Sequence, residues 1–264
     1  GASEDEVADS FAAFADDFEK RGVEATRPYH IDLKADDVEL PEGDCRLAVA
    51  YGDEEELEKR IGRITKAFDR GKGWNILSNQ GVFLSNETQQ GKIAMLFPGQ
   101  GTQYLGMLSD LKDEFDVVRE IYDEADDVMR PVLNENLSDI IDPAEWTDEA
   151  KDRLKQTEIT QPAVLTANAA LLRLMQKFGI QPDMVAGHSL GEYGALVAAG
   201  VMPFEGALRT VARRGTAMAE ASPMNGDNGL MASIPAPPDE VEERLKEVDG
   251  YVVCANKNCP RQTI

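Results

Sequence analysis

Apolar residues recur at three- and four-residue spacings in several separate stretches, each long enough for a helix. Residues 3–21 place Val7, Phe11, Phe14 and Phe18 on one face, and Ser3 followed by Glu6 has the form of a capping box. From Asp53 onward, Leu57, Ile61, Ile64 and Phe68 repeat the spacing until Gly71 and Gly73 close it. Residues 116–130 carry Val118, Ile121, Ala125 and Met129 among acidic side chains, which predicts a peripheral amphipathic helix stopped by Pro131. The stretch 160–178 differs in being apolar almost all round. Thr160-Gln161-Pro162 opens it and Gly179 follows it, so a helix enclosed by the core is expected. Residues 203–221 read as another long helix, and 238–248 as a shorter one.

Short apolar runs of strand length lie between these helices: 46–51 (RLAVAY), 81–84, 92–97 (KIAMLF), 184–186, 230–234 and 251–255, with a further start at 260–264. KIAMLF, almost without polar interruption, reads as a buried strand. The order strand 92–97, helix 160–178, strand 184–186 implies parallel strands joined by a right-handed crossover. Three parts are expected. Residues 1–90 form a helix and a small α/β linker module, with an extended acidic segment at 28–44 and a polar separator at 85–90. Residues 91–226 form the larger part, ending at a break near 226–228, and 227–264 begin a smaller one. No internal repeat or low-complexity tract is present.

Composition narrows the classes of function. The 264 residues are 42% hydrophobic and 29% charged, the balance of a globular protein. The formal net charge of −22 repels phosphate backbones, so no nucleic-acid partner is expected. It also means that an anionic substrate would need local arginine or lysine to bind. No apolar run reaches membrane-spanning length, so no membrane partner is expected. Three cysteines without framework spacing suit a reducing, cytoplasmic setting. Cys254 and Cys259, with His30 and His188 as the two histidines, give no metal-ligand pattern, and no metal is expected.

The chemistry-bearing pattern is Gly187-His188-Ser189-Leu190-Gly191, a G-x-S-x-G sequence between the apolar run 184–186 and the helix-forming run 195–199. Strand, cramped turn and helix form the context of a nucleophile elbow, with Ser189 held where helix N-terminal amides can meet developing negative charge. Pro98-Gly99-Gln100-Gly101-Thr102-Gln103 follows strand 92–97. It departs from both dinucleotide and phosphate-loop patterns, since Tyr104 and Met107 stand where Gly and Lys would be needed. What remains is a loop of small residues whose N–H groups can approach a substrate oxygen. In helix 203–221, Arg214 shares the stripe of Ala207, Val211 and Met218, while Arg213 falls among polar residues. An arginine on an apolar stripe needs a partner or a pocket. It is either a snorkelling arginine paired with a carboxylate or a residue that binds an anion.

The pieces FPGQGTQY (97–104), TQPA (160–163), GHSLGEYGALVAAG (187–200) and RRGTAM (213–218) together resemble the acyltransferase domain of polyketide and polyunsaturated-fatty-acid synthases. They are also similar to stand-alone malonyl-CoA:acyl carrier protein transacylases. The resemblance covers residues 92–264, and residues 1–90 resemble the linker that precedes such domains. It implies an α/β fold: a parallel-sheet, α/β-hydrolase-like acyltransferase core with an incomplete ferredoxin-like small subdomain. It implies Ser189 as acyl-accepting nucleophile and the backbone N–H groups of Gln100 and Leu190 as oxyanion donors. Arg214 would clamp a malonyl carboxylate, with His188 and Gln161 lining the pocket. The substrates implied are a coenzyme A thioester and the phosphopantetheine thiol of an acyl carrier protein, with no bound cofactor. The implied neighbours are other domains of a multidomain synthase, a ketosynthase among them. One departure stands out: the family's general base is a histidine well downstream of the serine, and no histidine follows His188. The chain therefore reads as an N-terminal part of a longer acyltransferase, or as one part of an enzyme completed elsewhere, poorly active or inactive alone. A serine hydrolase and a catalytically incomplete scaffold are the competing readings.

Overall fold

The computed structural model describes residues 1–32, 43–85, 91–221 and 229–264. Two compact units divide it, Gly1–Gly215 and Thr216–Ile264.

In the first unit, helix α1 (Glu4–Arg21) begins at Ser3, whose Oγ accepts from the Glu6 N–H at 3.2 Å. A 3-10 turn, Gly22–Tyr29, follows it. Strand β1 (Arg46–Val49), helix α2 (Glu54–Arg70), the short helix α3 (Trp74–Ser78) and strand β2 (Val82–Ser85) complete a small module. β1 and β2 pair antiparallel, with Ala48 opposite Phe83. Asp53 caps α2 by accepting from Glu56 N–H at 2.8 Å, and Gly71 ends it with a left-handed backbone. The apolar stripes of α1 and α2 meet: Phe11 packs with Ile64, Ala67, Leu77 and Val82, and Phe18 with Leu57. α3 has no counterpart in the hydrophobic periodicity, because its single turn is too short to show one. Most of the expected linker 28–44, and the separator beyond Ser85, lie outside the described residues.

The larger core of this unit is built on helices. Strand β3 (Ala94–Phe97) leads through helix α4 (Ser109–Glu114) to helix α5 (Asp116–Leu133). Helices α6 (Leu137–Ile141) and α7 (Asp148–Leu154) precede the long helix α8 (Thr157–Lys177). Strand β4 (Met184–Gly187), helix α9 (Gly191–Ala198) and helix α10 (Phe204–Ala221), which belongs to this unit as far as Gly215, follow. α8 is the centre of this core, with fourteen of its twenty-one residues buried, including Ala163, Leu165 and Ala170. α5 lies along it and is not peripheral, as its acidity suggested. Val118, Ile121, Tyr122, Ala125, Val128 and Met129 all face inward, and Asp126 caps a neighbouring turn by accepting from Ser138 N–H at 2.8 Å. Pro131 does not stop α5, which runs on to Leu133 and ends on Asn134 in the left-handed region. Nor does Pro162 mark the start of α8. The helix begins three residues earlier than Thr160, and the proline sits inside it.

β3 and β4 pair in parallel, Ala94 with Met184 through Phe97 with Gly187. The expected parallel crossover is present, but KIAMLF is not the buried strand its composition predicts. Only Phe97 is buried in β3, whereas Leu96 is 76% exposed and Met184 on β4 is 50% exposed. Among the described residues this sheet has two strands.

In the second unit, helix α11 (Pro238–Leu245) and a hairpin of β5 (Lys257–Cys259) and β6 (Gln262–Thr263) are formed. The strands expected at 230–234 and 251–255 are not. Ile234 makes a single bridge to Thr263, and 251–255 is irregular. The apolar side chains that suggested strands there, Leu230, Met231, Tyr251, Val252 and Val253, are exposed. The expected break at 226–228 lies outside the described residues. No described helix is long and apolar enough to cross a membrane.

Candidate active site

Two loops leave the carboxyl ends of the paired strands side by side. β4 runs into Gly187-His188-Ser189-Leu190-Gly191, and α9 begins at once. His188 N–H still donates to Phe97 carbonyl at 3.2 Å, and the turn closes through Gly191 N–H to His188 carbonyl at 2.9 Å. Both glycines of the motif are sterically required. A Cβ at Gly187 would strike the backbone of Gly191 and Glu192, and one at Gly191 would strike the Phe97 carbonyl. Gly194 lets α9 settle on the Phe97 ring, where a Cβ would come within 2.9 Å. Ser189 itself has φ +54°, a left-handed conformation rare for a residue with a side chain. Its side chain is exposed at the head of α9, while Leu190 beside it is buried and holds the turn to the core. The turn predicted from sequence is therefore present, with its serine presented outward.

The second loop follows β3. Pro98 carbonyl accepts from Asn168 Nδ2 on α8 at 3.1 Å, and Thr102 Oγ1 donates to Gly99 carbonyl at 2.8 Å. Gly99 is pressed against the elbow. A Cβ there would lie 2.7 Å from the His188 carbonyl oxygen and 3.5 Å from the Leu190 nitrogen. This contact brings the loop of Gln100 beside the turn of Ser189 and Leu190. The Gln100 side chain turns to α8, donating through Nε2 to Thr157 Oγ1 at 2.9 Å. Among the described residues, neither the Gln100 N–H nor the Leu190 N–H has an acceptor.

α8 also meets α10. Gly215 allows the two backbones to touch, since a Cβ there would stand 2.7 Å from Glu158 Cα. One residue away, half-buried Arg214 donates through Nη1 to Oε1 of fully buried Gln161 at 2.7 Å. The sequence left open whether Arg214 is a snorkelling arginine paired with a carboxylate. Among the described residues it pairs with none, whereas Arg21, Arg60, Arg119, Arg130, Arg153 and Arg209 all do. A guanidinium held by a neutral amide keeps its full charge and its remaining donors, the condition for receiving an anion. Met218, expected on the same inward stripe as Ala207 and Val211, is exposed, so the stripe fades after Arg214.

His188 is exposed next to Ser189. Among the described residues no side chain hydrogen-bonds to Ser189 Oγ. Sequence reasoning missed Thr157 and Asn168. Thr157 lay outside the expected helix, yet its place one turn before Gln161 puts both on one face of α8. That spacing was the available signal.

Comparison with known proteins bears on this geometry. Residues 94–264 match the family model described as acyl transferase domain. The chain is 41% identical over 177 residues to the malonyl CoA-acyl carrier protein transacylase of Bacillus subtilis (strain 168), covering 66% of this chain and 52% of that protein. A solved type II polyketide acyl carrier protein in complex with its malonyl-transacylase, PlMCAT with holo AntF, is 38% identical. It covers 66% of this chain and 54% of that one, with a TM-score of 0.55. The acyl transferase domain of ZmaA, 25% identical, covers 100% of this chain and 57% of that one, with a TM-score of 0.73. The chain spans about half the length of the curated relatives it matches. With a G-x-S-x-G elbow at the end of a parallel strand and a family match over most of its length, the chain belongs to the acyl transferase domain family.

Proposed function

We propose that this chain carries the nucleophile and carboxylate-binding parts of a transferase that moves a malonyl group from coenzyme A to an acyl carrier protein. In the first half-reaction the Ser189 hydroxyl attacks the thioester carbonyl and loses its proton to a base. The tetrahedral oxyanion is held by the Gln100 and Leu190 N–H groups, and coenzyme A leaves as its thiol. In the second, the phosphopantetheine thiol of the carrier attacks the serine ester and Ser189 regains its proton. Arg214, positioned by Gln161, takes the free malonyl carboxylate as a bidentate pair, with His188 at the pocket edge. The observation that carries this reading is Arg214, whose charge no described carboxylate neutralises on a chain of net charge −22. The malonyl specificity and carrier-protein partner in the names of relatives support it.

A serine nucleophile needs a base, and neither histidine of the sequence follows Ser189. The apolar surface at Leu96 and Met184 also calls for cover. We infer that further acyltransferase polypeptide supplies both the base and the cover, within a multidomain synthase that includes a ketosynthase. The likeness of the whole chain, residues 1–90 included, to the ZmaA acyl transferase domain supports such a setting.

Intact mass after incubation with malonyl-CoA tests the reading. A malonyl adduct on the wild-type chain that is absent in Ser189→Ala is the expected result. Arg214→Ala should lower malonyl loading relative to acetyl loading by roughly tenfold or more, the scale of a lost charged hydrogen bond. Turnover to free malonate without an accumulating adduct would indicate hydrolysis, and the absence of any adduct would favour the scaffold reading or a base missing from this part of the polypeptide. An unchanged malonyl-to-acetyl ratio would remove Arg214 from its role.

A further inference from the structure

The loop beside the elbow raises a problem that its own sequence does not solve. Gln100 stands between two glycines, of which Gly101 has φ +106°, a backbone that glycine adopts without strain. Each neighbour is anchored. Pro98 carbonyl takes the Asn168 amide, Gly99 carbonyl takes the Thr102 hydroxyl, and Gly101 N–H donates to Gln103 Oε1 at 2.8 Å. Gln100 has an exposed side chain and, among the described residues, one tether: its Nε2 to Thr157 Oγ1. Its backbone N–H has no acceptor among the described residues.

Thr157 is suited to hold that tether. It is the first residue of α8, and the helix takes no side-chain cap from Gln156 before it. It is half-buried, and its own carbonyl lies against Gly215 on α10, where a Cβ would come within 2.8 Å. One turn further on, Gln161 holds Arg214. The first turns of the most enclosed helix in the molecule thus reach both the Gln100 loop and the arginine.

We propose that Thr157 is a positioning residue for acyl transfer: its hydroxyl fixes the Gln100 side chain and so aims the Gln100 backbone N–H at the oxyanion. The proposal rests on the acyl-transfer reading, in which that N–H is a donor. A donor must be in place before charge develops, because a peptide that has to rotate first gives up part of its stabilisation.

The test uses the full chain with Thr157→Val, which keeps the shape and removes the hydroxyl, and Thr157→Ser, which restores it. Two measurements are made on each: the single-turnover rate of malonyl loading against malonyl-CoA concentration, and the ¹⁵N order parameter of the Gln100 amide. In Thr157→Val the limiting loading rate should fall roughly tenfold, a fraction of the cost of deleting an oxyanion donor. The half-saturating concentration should hold, because Arg214 is untouched. The Gln100 order parameter should drop from the rigid range near ~0.85 toward ~0.6. Thr157→Ser should return both to wild-type values. An unchanged order parameter in Thr157→Val overturns the tether, and a loosened amide with wild-type loading overturns the positioning role. A rise in half-saturation without a slower rate also overturns it, since that is loss of binding and not of oxyanion alignment. If the wild-type chain takes no malonyl group even together with the polypeptide that supplies the base, the acyl-transfer reading fails, and the order parameters still decide whether Thr157 holds the loop.

Discussion

Helix α8 carries Glu158, Arg173 and Lys177 and the paired strands β3 and β4 carry no polar side chain, yet it is the helix that is enclosed. α8 is enclosed on nearly every side, down to the polar Thr160, Gln161 and Thr166, whereas Leu96 in the middle of β3 is three-quarters exposed. Hydrophobic content alone does not say which stretch is core. α8 is buried because α5, α6, α7 and α9 surround it, while the two-stranded sheet has α9 against it and no further strand beside it among the described residues. Parallel strands are ordinarily covered on both faces, so the exposed apolar side chains of β3 and β4 are suited to a covering surface that the described residues do not form. The active-site turns hang from the exposed element, and their anchors come from the enclosed one.

Three substitutions would break or sharpen that contrast, each read by urea unfolding at constant slope. Leu165→Ala in α8 should lower unfolding free energy by about 2–5 kcal/mol, the range for a fully enclosed leucine. A loss below ~1 kcal/mol would mean that α8 is not the packed centre. Gly191→Ala should cost roughly 1–3 kcal/mol, since the added methyl meets the Phe97 carbonyl and cannot be accommodated without moving the turn. A neutral result would show that β3 and the elbow are not held together as described. Leu96→Ser should be smallest, within about 0.5 kcal/mol, as for exposed positions generally. A cost above ~1.5 kcal/mol would place that side chain in a buried environment in solution and erase the contrast.

Most of the architecture around the site was legible before any coordinates. Ser3 and Asp53 announced their helices by cap chemistry, and the elbow was legible because its glycines are dictated by local sterics. What failed were judgements that depend on neighbours. The acidity of α5 suggested a surface helix, but its acids other than the buried Asp126 lie on one side and its apolar stripe meets α8. Pro131 and Pro162 looked like boundaries, yet both sit inside helices, Pro162 enclosed in the core and Pro131 exposed two residues before the end of α5. The runs 230–234 and 251–255 had strand composition without partners to pair with. Within the site, Arg214 was visible from its helical stripe, but its Gln161 partner had been linked to the pocket only through resemblance. Thr157 was hidden because its hydrogen bond spans 57 residues of sequence.

A cysteine that the chain keeps sealed marks how selectively thiols are exposed. Cys45 is buried, and desolvation followed by nearby Glu4 pushes its thiol above the usual range, while Cys259 lies on the surface.

The left-handed backbone at position 189 also limits which nucleophiles evolution or engineering could install there. A branch at Cβ would crowd the neighbouring carbonyl in that conformation, which disfavours threonine however well its hydroxyl might react. Cysteine has the same unbranched Cβ as serine and meets no such obstacle. An oxygen-to-sulfur exchange is therefore the conservative route by which this turn could change its chemistry while keeping its shape.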